Sequence, residues 1–169
     1  MHDTVHDIIK SEFQLRVVDE SLQRILQCLD TLSHEQLWHR ANPNTNPVGN
    51  LVLHLCGNIR QYILSGVGGA EDTRQRPEEF ADGHDHTKED LAERITQTLH
   101  DANAVVLGLA YEQLTQTVNI QGFSHTRLSA ILHVVEHLSY HVGQITYYTK
   151  LSCDVDTAYY GGMDLDVTG

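Results

Sequence analysis

Residues 126–151 read TRLSAILHVVEHLSYHVGQITYYTKL, and their apolar side chains recur at steps of three and four positions. This spacing places them on one face of an amphipathic helix. The face consists of Leu128, Ile131, Val135, Leu138, Val142 and Ile145. We therefore predict a long helix that begins near Ser124 or Thr126 and ends at Leu151.

Three earlier segments have the same helical period. The first extends from Val5 to Leu32. The second follows Asn46-Pro47, an N-cap candidate with proline at the first helical position, and ends before Gly66. The third starts at Thr87, an N-cap candidate followed by acidic residues in the first turn. Each segment is long enough to form one helix of a bundle.

Two connections lack this period. Residues 67–86 contain glycine, proline and many charges, and they are longer than a tight turn between antiparallel helices requires. We expect them to form a crossover or a partly ordered flap. Residues 114–123 alternate weakly between apolar and polar side chains, which indicates a short extended piece.

Four long amphipathic helices with one long crossover predict an all-α protein, a four-helix bundle. We expect one domain over residues 1–169, of which residues 152–169 form a C-terminal tail without helical period. Either this tail is solvated, or it packs on its own bundle or on a neighbouring subunit. In the second case, Tyr159 or Tyr160 is buried near the mouth of the site or in a dimer seam.

Composition excludes several classes of function. The chain has 23 acidic and 11 basic residues, a net charge of −12, which argues against a nucleic-acid partner. No run approaches the roughly 20 apolar residues of a membrane span. The three cysteines have no CxxC spacing, which favours free thiols and a cytoplasmic protein. We do not expect any of them to be a catalytic nucleophile.

The chain has 12 histidines, and those inside apolar helical segments are the candidates for a site. His137 and His141 are one helical turn apart, about 6 Å and ~40° around the axis, so both can reach one metal ion. His133 lies ~12 Å along the axis from His141, so the three cannot bind the same ion. Because the helical wheel points His133 furthest from the core, we favour His137 and His141.

A third ligand is expected from another helix, and His54 is the histidine inside the second helical segment. Three histidines leave open coordination positions, the pattern of a catalytic site. The alternatives are a hydrogen-bonded core histidine at position 54 and a solvated pair at positions 137 and 141. A competing HxxEH motif uses His133, Glu136 and His137, but only 32 residues follow it to complete a protease.

Residues 46–58, NPVGNLVLHLCGN, and residues 137–144, HLSYHVGQ, resemble the DinB-like superfamily of metalloenzymes over essentially the whole chain. The resemblance implies an up-down-down-up bundle with a divalent metal, often nickel or zinc, on His54, His137 and His141. Characterised relatives include thiol S-transferases and isomerases that use a low-molecular-weight thiol such as bacillithiol, mycothiol or glutathione.

We therefore expect a metal-dependent enzyme, most concretely a thiol S-transferase that acts on a small-molecule substrate. Asn58 and Gln144 lie at helical spacing from the ligands and would orient their imidazole rings. Glu136 is the nearest general-base candidate on its helix. The alternatives are a stress-related, non-catalytic metal- or ligand-binding bundle and a purely structural bundle. We also expect a homodimer.

Overall fold

The computed structural model describes residues 4–82 and 85–168, which are mostly helical. Helix α1 consists of Val5–Gln14, a π-helical segment Leu15–Leu22, and Gln23–Thr31. Helix α2 comprises Val48–Ile59 and the π-helical segment Arg60–Val67. Helices α3 and α4 are Lys88–Leu107 and Arg127–Cys153. The four long helices match the segments that the sequence predicts.

Shorter elements connect these helices. Residues His34–Leu37 form one helical turn, and Arg76–Phe80 and Tyr111–Gln113 form 3-10 turns. Strands β1 (Thr117–Ile120) and β2 (Phe123–Thr126) pair antiparallel just before α4. The described chain is thus mostly helical, with one small sheet that an all-α description omits.

The hairpin arises from local sequence chemistry. Gln121 and Gly122 have φ values of 54° and 81°, the left-handed conformation that a two-residue hairpin turn requires. On the strand before the turn, the side chain of Ile120 is buried and lies close to Gly66 of α2. The weak alternation over residues 114–123 therefore corresponds to the first strand and the turn.

Side-chain caps fix the starts of three long helices. Thr4 and Thr87 each accept a hydrogen bond from the third helical N–H, and Asp7 and Asp90 complete two capping boxes. Thr126 caps α4 through the N–H of Ser129 at 3.1 Å. Helix α2 lacks a side-chain cap, because Pro47 occupies the position before its first residue, Val48. Its start is one residue later than Asn46-Pro47 predicts.

Helix α2 lies at the centre of the packing. It contacts both α3 and α4, and α1 contacts the same two helices. Every residue from Val48 to Ile59 is buried except Gly57, as expected for a helix that is apolar on all sides. A histidine on this helix is therefore surrounded by protein.

The crossover between α2 and α3 is partly ordered against the bundle. Buried Asn50 donates its amide N–H groups to the carbonyl oxygens of Glu79 and Ala81, at 2.9 and 3.1 Å. These bonds attach the 3-10 turn Arg76–Phe80 to the start of α2. The crossover therefore covers part of α2.

The C-terminal tail packs on α1 and α4. Gln27 of α1 donates to the carbonyl of buried Thr157 at 2.9 Å. The Tyr159 hydroxyl lies 2.8 Å from the Thr146 hydroxyl and 3.4 Å from the Cys28 sulfur. Burial of Tyr159 raises the pKa of its phenol to about 12. The contacts of Tyr159 are with the chain's own helices, at the seam of α1 and α4 rather than among the candidate ligands.

No helix in residues 4–82 or 85–168 combines the length and apolarity that crossing a bilayer requires.

Candidate metal centre

Three of the histidines selected from the sequence converge in space. Each of His54, His137 and His141 offers one ring nitrogen, and the three nitrogens lie within 4.8 Å of one another. Of the residues that the structure describes, this is the one group of three or more His, Cys, Asp or Glu side chains with such geometry. Helix α2 supplies one histidine, and consecutive turns of α4 supply the other two.

His54 is oriented by a carboxylate from the crossover. Its Nδ1 lies 2.8 Å from Oε2 of Glu79, and both side chains are buried. Arg74 holds the same carboxylate from the other side, with Nε donating to Oε1 at 2.7 Å and Nη2 to Oε2 at 2.8 Å. Glu79 thus bridges a guanidinium group and an imidazole.

The ionised state of the Glu79 carboxylate fixes the tautomer of His54. Burial opposes ionisation, but the hydrogen bonds from Arg74 and His54 outweigh it, so the pKa of Glu79 lies below its usual value. An ionised carboxylate only accepts hydrogen bonds, so the proton of His54 resides on Nδ1. The Nε2 lone pair then faces α4, as in metal sites where a carboxylate orients a histidine ligand.

His141 is oriented in a similar way. Its Nδ1 lies 2.7 Å from Oε1 of Gln144, one turn further along α4. With the amide oxygen as acceptor, Nδ1 carries the proton and Nε2 is left as the ligand atom. The predicted orienting role of Gln144 is consistent with this contact.

His137 is the least satisfied of the three. Its Nε2 lies 3.2 Å from Nε2 of His54, and its buried Nδ1 has no hydrogen-bond partner among the described residues. Burial, together with repulsion from the neighbouring His141 and His54, lowers the pKa of His137 to about 3. The ring is therefore neutral at pH 7, the state in which imidazole binds metals.

The arrangement fits a cation better than a hydrogen-bond network. His54 and His141 each direct a lone pair to the shared space, and His137 has one proton with which to satisfy them. Two nitrogens bound to one zinc ion at ~2.0–2.1 Å lie about 3.3 Å apart in a tetrahedral site. The observed 3.2 Å between the two Nε2 atoms matches this spacing. Imidazole ligands suit zinc, nickel, copper and iron alike.

The competing HxxEH register is not favoured. His133 stacks on Tyr62, with ring centroids 4.3 Å apart, and on His137 at 5.5 Å, but it is outside the group of converging nitrogens. Glu136 is exposed. The described carboxylate in contact with a triad histidine is Glu79, so the structure offers no support for Glu136 as the base.

The second predicted orienting residue, Asn58, has a different environment. It is buried, and its Oδ1 has no hydrogen-bond partner in the part of the chain that the structure describes. The partner of His54 is Glu79 instead. Glu79 and Arg74 could not be identified from the sequence, because they lie in the aperiodic crossover. The one available signal was a cluster of charges there.

The cysteines are separate from the triad. Cys28, Cys56 and Cys153 are all free thiols, and none belongs to the group of converging ligands. Burial raises the pKa of Cys56 to about 11, so its thiol is protonated at neutral pH. A protonated, buried thiol is a poor nucleophile.

The fold and the three-histidine cluster define a DinB-like protein, as the sequence motifs predict. The chain belongs to the family described as "Protein of unknown function (DUF1572)", whose model matches residues 9–159. No curated protein shows a significant sequence match to this chain.

Solved structures of DinB-like proteins share this fold. One from Bacillus cereus ATCC 10987 has a TM-score of 0.65 and 17% identity, and the match covers 90% of this chain and 95% of that chain. One from Bacillus subtilis has a TM-score of 0.65 and 15% identity, with 88% and 94% covered. A conserved protein from Enterococcus faecalis has a TM-score of 0.63 and 16% identity, with 91% and 100% covered.

The lowered pKa of His137 predicts how stability depends on pH in the metal-free protein. The folded state binds this proton only near pH 3, whereas the unfolded chain binds it near pH 6.5. The free energy of unfolding should therefore decrease as the pH falls below about 6.5. His137→Gln should make that decrease shallower, by less than about 1.4 kcal/mol per pH unit because the ring is partly exposed.

Urea unfolding in the presence of a chelator at pH 7, 6 and 5 measures this dependence. His100→Gln, at an exposed position on α3, is the matched control and should follow the wild type. Identical slopes for His137→Gln and the wild type would contradict the assignment of a neutral, half-buried His137.

Proposed function

We propose that this protein is a divalent-metal-dependent enzyme and, more specifically, a thiol S-transferase that uses a low-molecular-weight thiol. The observation that supports the proposal is the convergence of His54, His137 and His141 within 4.8 Å, with His54 oriented by a buried carboxylate. His54, His137 and His141 would hold a divalent ion such as zinc or nickel, which would favour the thiolate form of a thiol at neutral pH.

The chain's own residues prepare and shield the site. Glu79 and Gln144 hold the tautomers of two ligands, and Phe80 packs on the His54 ring with centroids 4.9 Å apart. His137 and His141 are only half-buried, so a small molecule can approach from their side. The site is therefore closed on the crossover side and open on the α4 side.

The topology is also part of the proposal. Contacts of α4 with α2 join His137 to His54 and His133 to Tyr62, so the two helices are antiparallel. Lys88 at the start of α3 bonds to the carbonyl of Asp30 at the end of α1, which makes these two antiparallel as well. Gln36, just beyond α1, bonds to the carbonyl of Ser152 near the end of α4. These contacts support the up-down-down-up order.

We predict one divalent ion per chain in protein purified without an affinity tag. His137→Ala/His141→Ala should abolish the ion and His54→Ala should remove most of it, because each change deletes ligands. His133→Ala is the matched control and should retain the metal. Elemental analysis measures the content. Loss in His133→Ala with retention in His141→Ala would support the HxxEH register and contradict ours.

We predict thiol transfer by the metal-loaded protein. The assay uses 1-chloro-2,4-dinitrobenzene with a panel of thiols: the thiolate sulfur forms a bond to the ring carbon, chloride leaves, and the thiol proton goes to the buffer. His137→Ala/His141→Ala should lower the rate to the uncatalysed level, whereas Cys28→Ser, which removes a thiol outside the site, should not change it. Metal binding without turnover for any thiol would favour the non-catalytic, stress-related alternative.

We further propose a homodimer that forms through the outer face of α4. Four large apolar side chains are 59–71% exposed along this face: Leu132, Tyr140, Tyr147 and Leu151. A Cβ at Gly143 would have no atom within 4 Å, so a second helix can approach closely there. In an antiparallel pair centred on Gly143, Glu136 of one chain lies opposite Lys150 of the other, since each is seven residues from the centre.

Charge reversal tests this interface. Glu136→Lys should weaken the dimer, and adding Lys150→Glu should restore it, because the swapped charges attract again. Tyr147→Glu should give monomers, whereas Leu107→Glu, at an exposed site on α3, should not. Size-exclusion chromatography with light scattering gives the mass. A wild-type monomer, or a dimer that Tyr147→Glu leaves intact, would contradict the interface.

A further inference from the structure

A cavity of about 280 Å³ lies between α2, α3 and the crossover, and none of the three histidines lines it. Arg60 of α2 and Arg94 of α3 line it from the helices, and Glu71 and Glu78 line it from the crossover. Among residues 4–82 and 85–168, none of these four side chains forms a hydrogen bond or an ion pair. All four residues are exposed, so two cations and two anions line the same cavity without pairing with one another.

The other charged groups of the same cavity are already satisfied. Arg74 bonds to Glu79 and to Oε1 of Gln61, at 2.7–2.8 Å. Asp72 accepts from the side chain of Gln61 at 2.7 Å and from the backbone N–H of Arg74 at 3.1 Å. The unpaired charges of the lining are therefore those of Arg60, Arg94, Glu71 and Glu78, whereas Arg74, Asp72 and Glu79 already have partners.

The two arginines act on a common region. Both lie close enough to the Cys56 thiol to lower its pKa, although burial raises it more. The guanidinium group pairs with carboxylates through two parallel hydrogen bonds.

We propose that this cavity binds a small zwitterionic ligand of the amino-acid or short-peptide class. Its carboxylate pairs with Arg60 and Arg94, and its ammonium group pairs with Glu71 and Glu78. A polyanion such as a nucleotide is disfavoured by the two glutamates. The volume is at the lower end of the ~300–1,000 Å³ range of small-molecule pockets, which also favours a ligand of this size.

This site is independent of the proposed function. Arg74 and Glu79 contribute to the cavity wall as well as to the environment of His54, but no metal ligand lines the cavity. Binding should therefore persist when the triad is disabled. That separates failure of this proposal from failure of the metal proposal.

Isothermal titration calorimetry with L-serine, glycylglycine and triglycine tests the proposal, with acetate and ethylamine at matched ionic strength as single-charge probes. We expect at least one zwitterion to bind tenfold or more tightly than either single-charge probe. Arg60→Gln/Arg94→Gln and Glu71→Gln/Glu78→Gln should each weaken that binding at least tenfold. Arg16→Gln, on the exposed surface of α1, should not change it.

The same titration on His137→Ala/His141→Ala should give the wild-type affinity, and circular dichroism confirms that each variant is folded. Three results overturn the proposal: no binding of any zwitterion, binding that neither double variant weakens, or acetate that binds as tightly as the zwitterions. Loss of binding in the triad variant also overturns it, because the ligand would then depend on the histidines.

Discussion

The buried carboxylate of Glu79 is the contact on which the site depends. It accepts two hydrogen bonds from Arg74 and one from His54, and Asn50 holds its backbone carbonyl to α2. The close approach of the Glu79 side chain to α2 requires glycine at position 57, since a Cβ there would collide with Oε1 of Glu79. Breaking a buried ion pair by removing one partner typically costs about 3–5 kcal/mol. The same group thus fixes a ligand tautomer and attaches the crossover to the bundle.

The helical part of the fold follows from sequence period and capping. Thr87 and Thr126 cap the helices that their positions predict, and the spacing of His137 and His141 alone places them on one face. His54 was found because few polar residues interrupt its helix. Glu79 and Arg74 were not predictable, since an aperiodic segment contains no information on which of its charges reaches a histidine 20 or more residues away. The hairpin was missed because Gln-Gly is a weaker turn signal than Asn-Gly.

The π-helical segments set a limit on helical-wheel arithmetic. At 100° per residue, positions on α2 are placed correctly up to Ile59, where regular α-helix ends. The π-helical Arg60–Val67 segment changes the angular step, and it contains Tyr62, whose ring stacks on His133. His133 itself lies on the regular helix α4, where the wheel points it furthest from the apolar face, and it is half-buried between Tyr62 and His137. π-Helical segments are rare and often lie near functional sites. The segment Arg60–Val67 lies beside the candidate metal centre, because its Tyr62 stacks on His133.

Charges of both signs surround the crossover. Residues 48–107, which form the crossover and the two helices that it joins, contain five of the 11 basic and ten of the 23 acidic residues, about the ratio of the whole chain. In a chain of net charge −12, the remaining surface repels polyanions, so anionic partners are attracted only locally. The Arg74–Glu79 pair divides this region: its glutamate orients the imidazole of His54 on one side, and its arginine keeps that glutamate ionised on the other. Because the Arg74–Glu79 pair carries no net charge, a cavity lined by charges of both signs can lie beside a site suited to a cation.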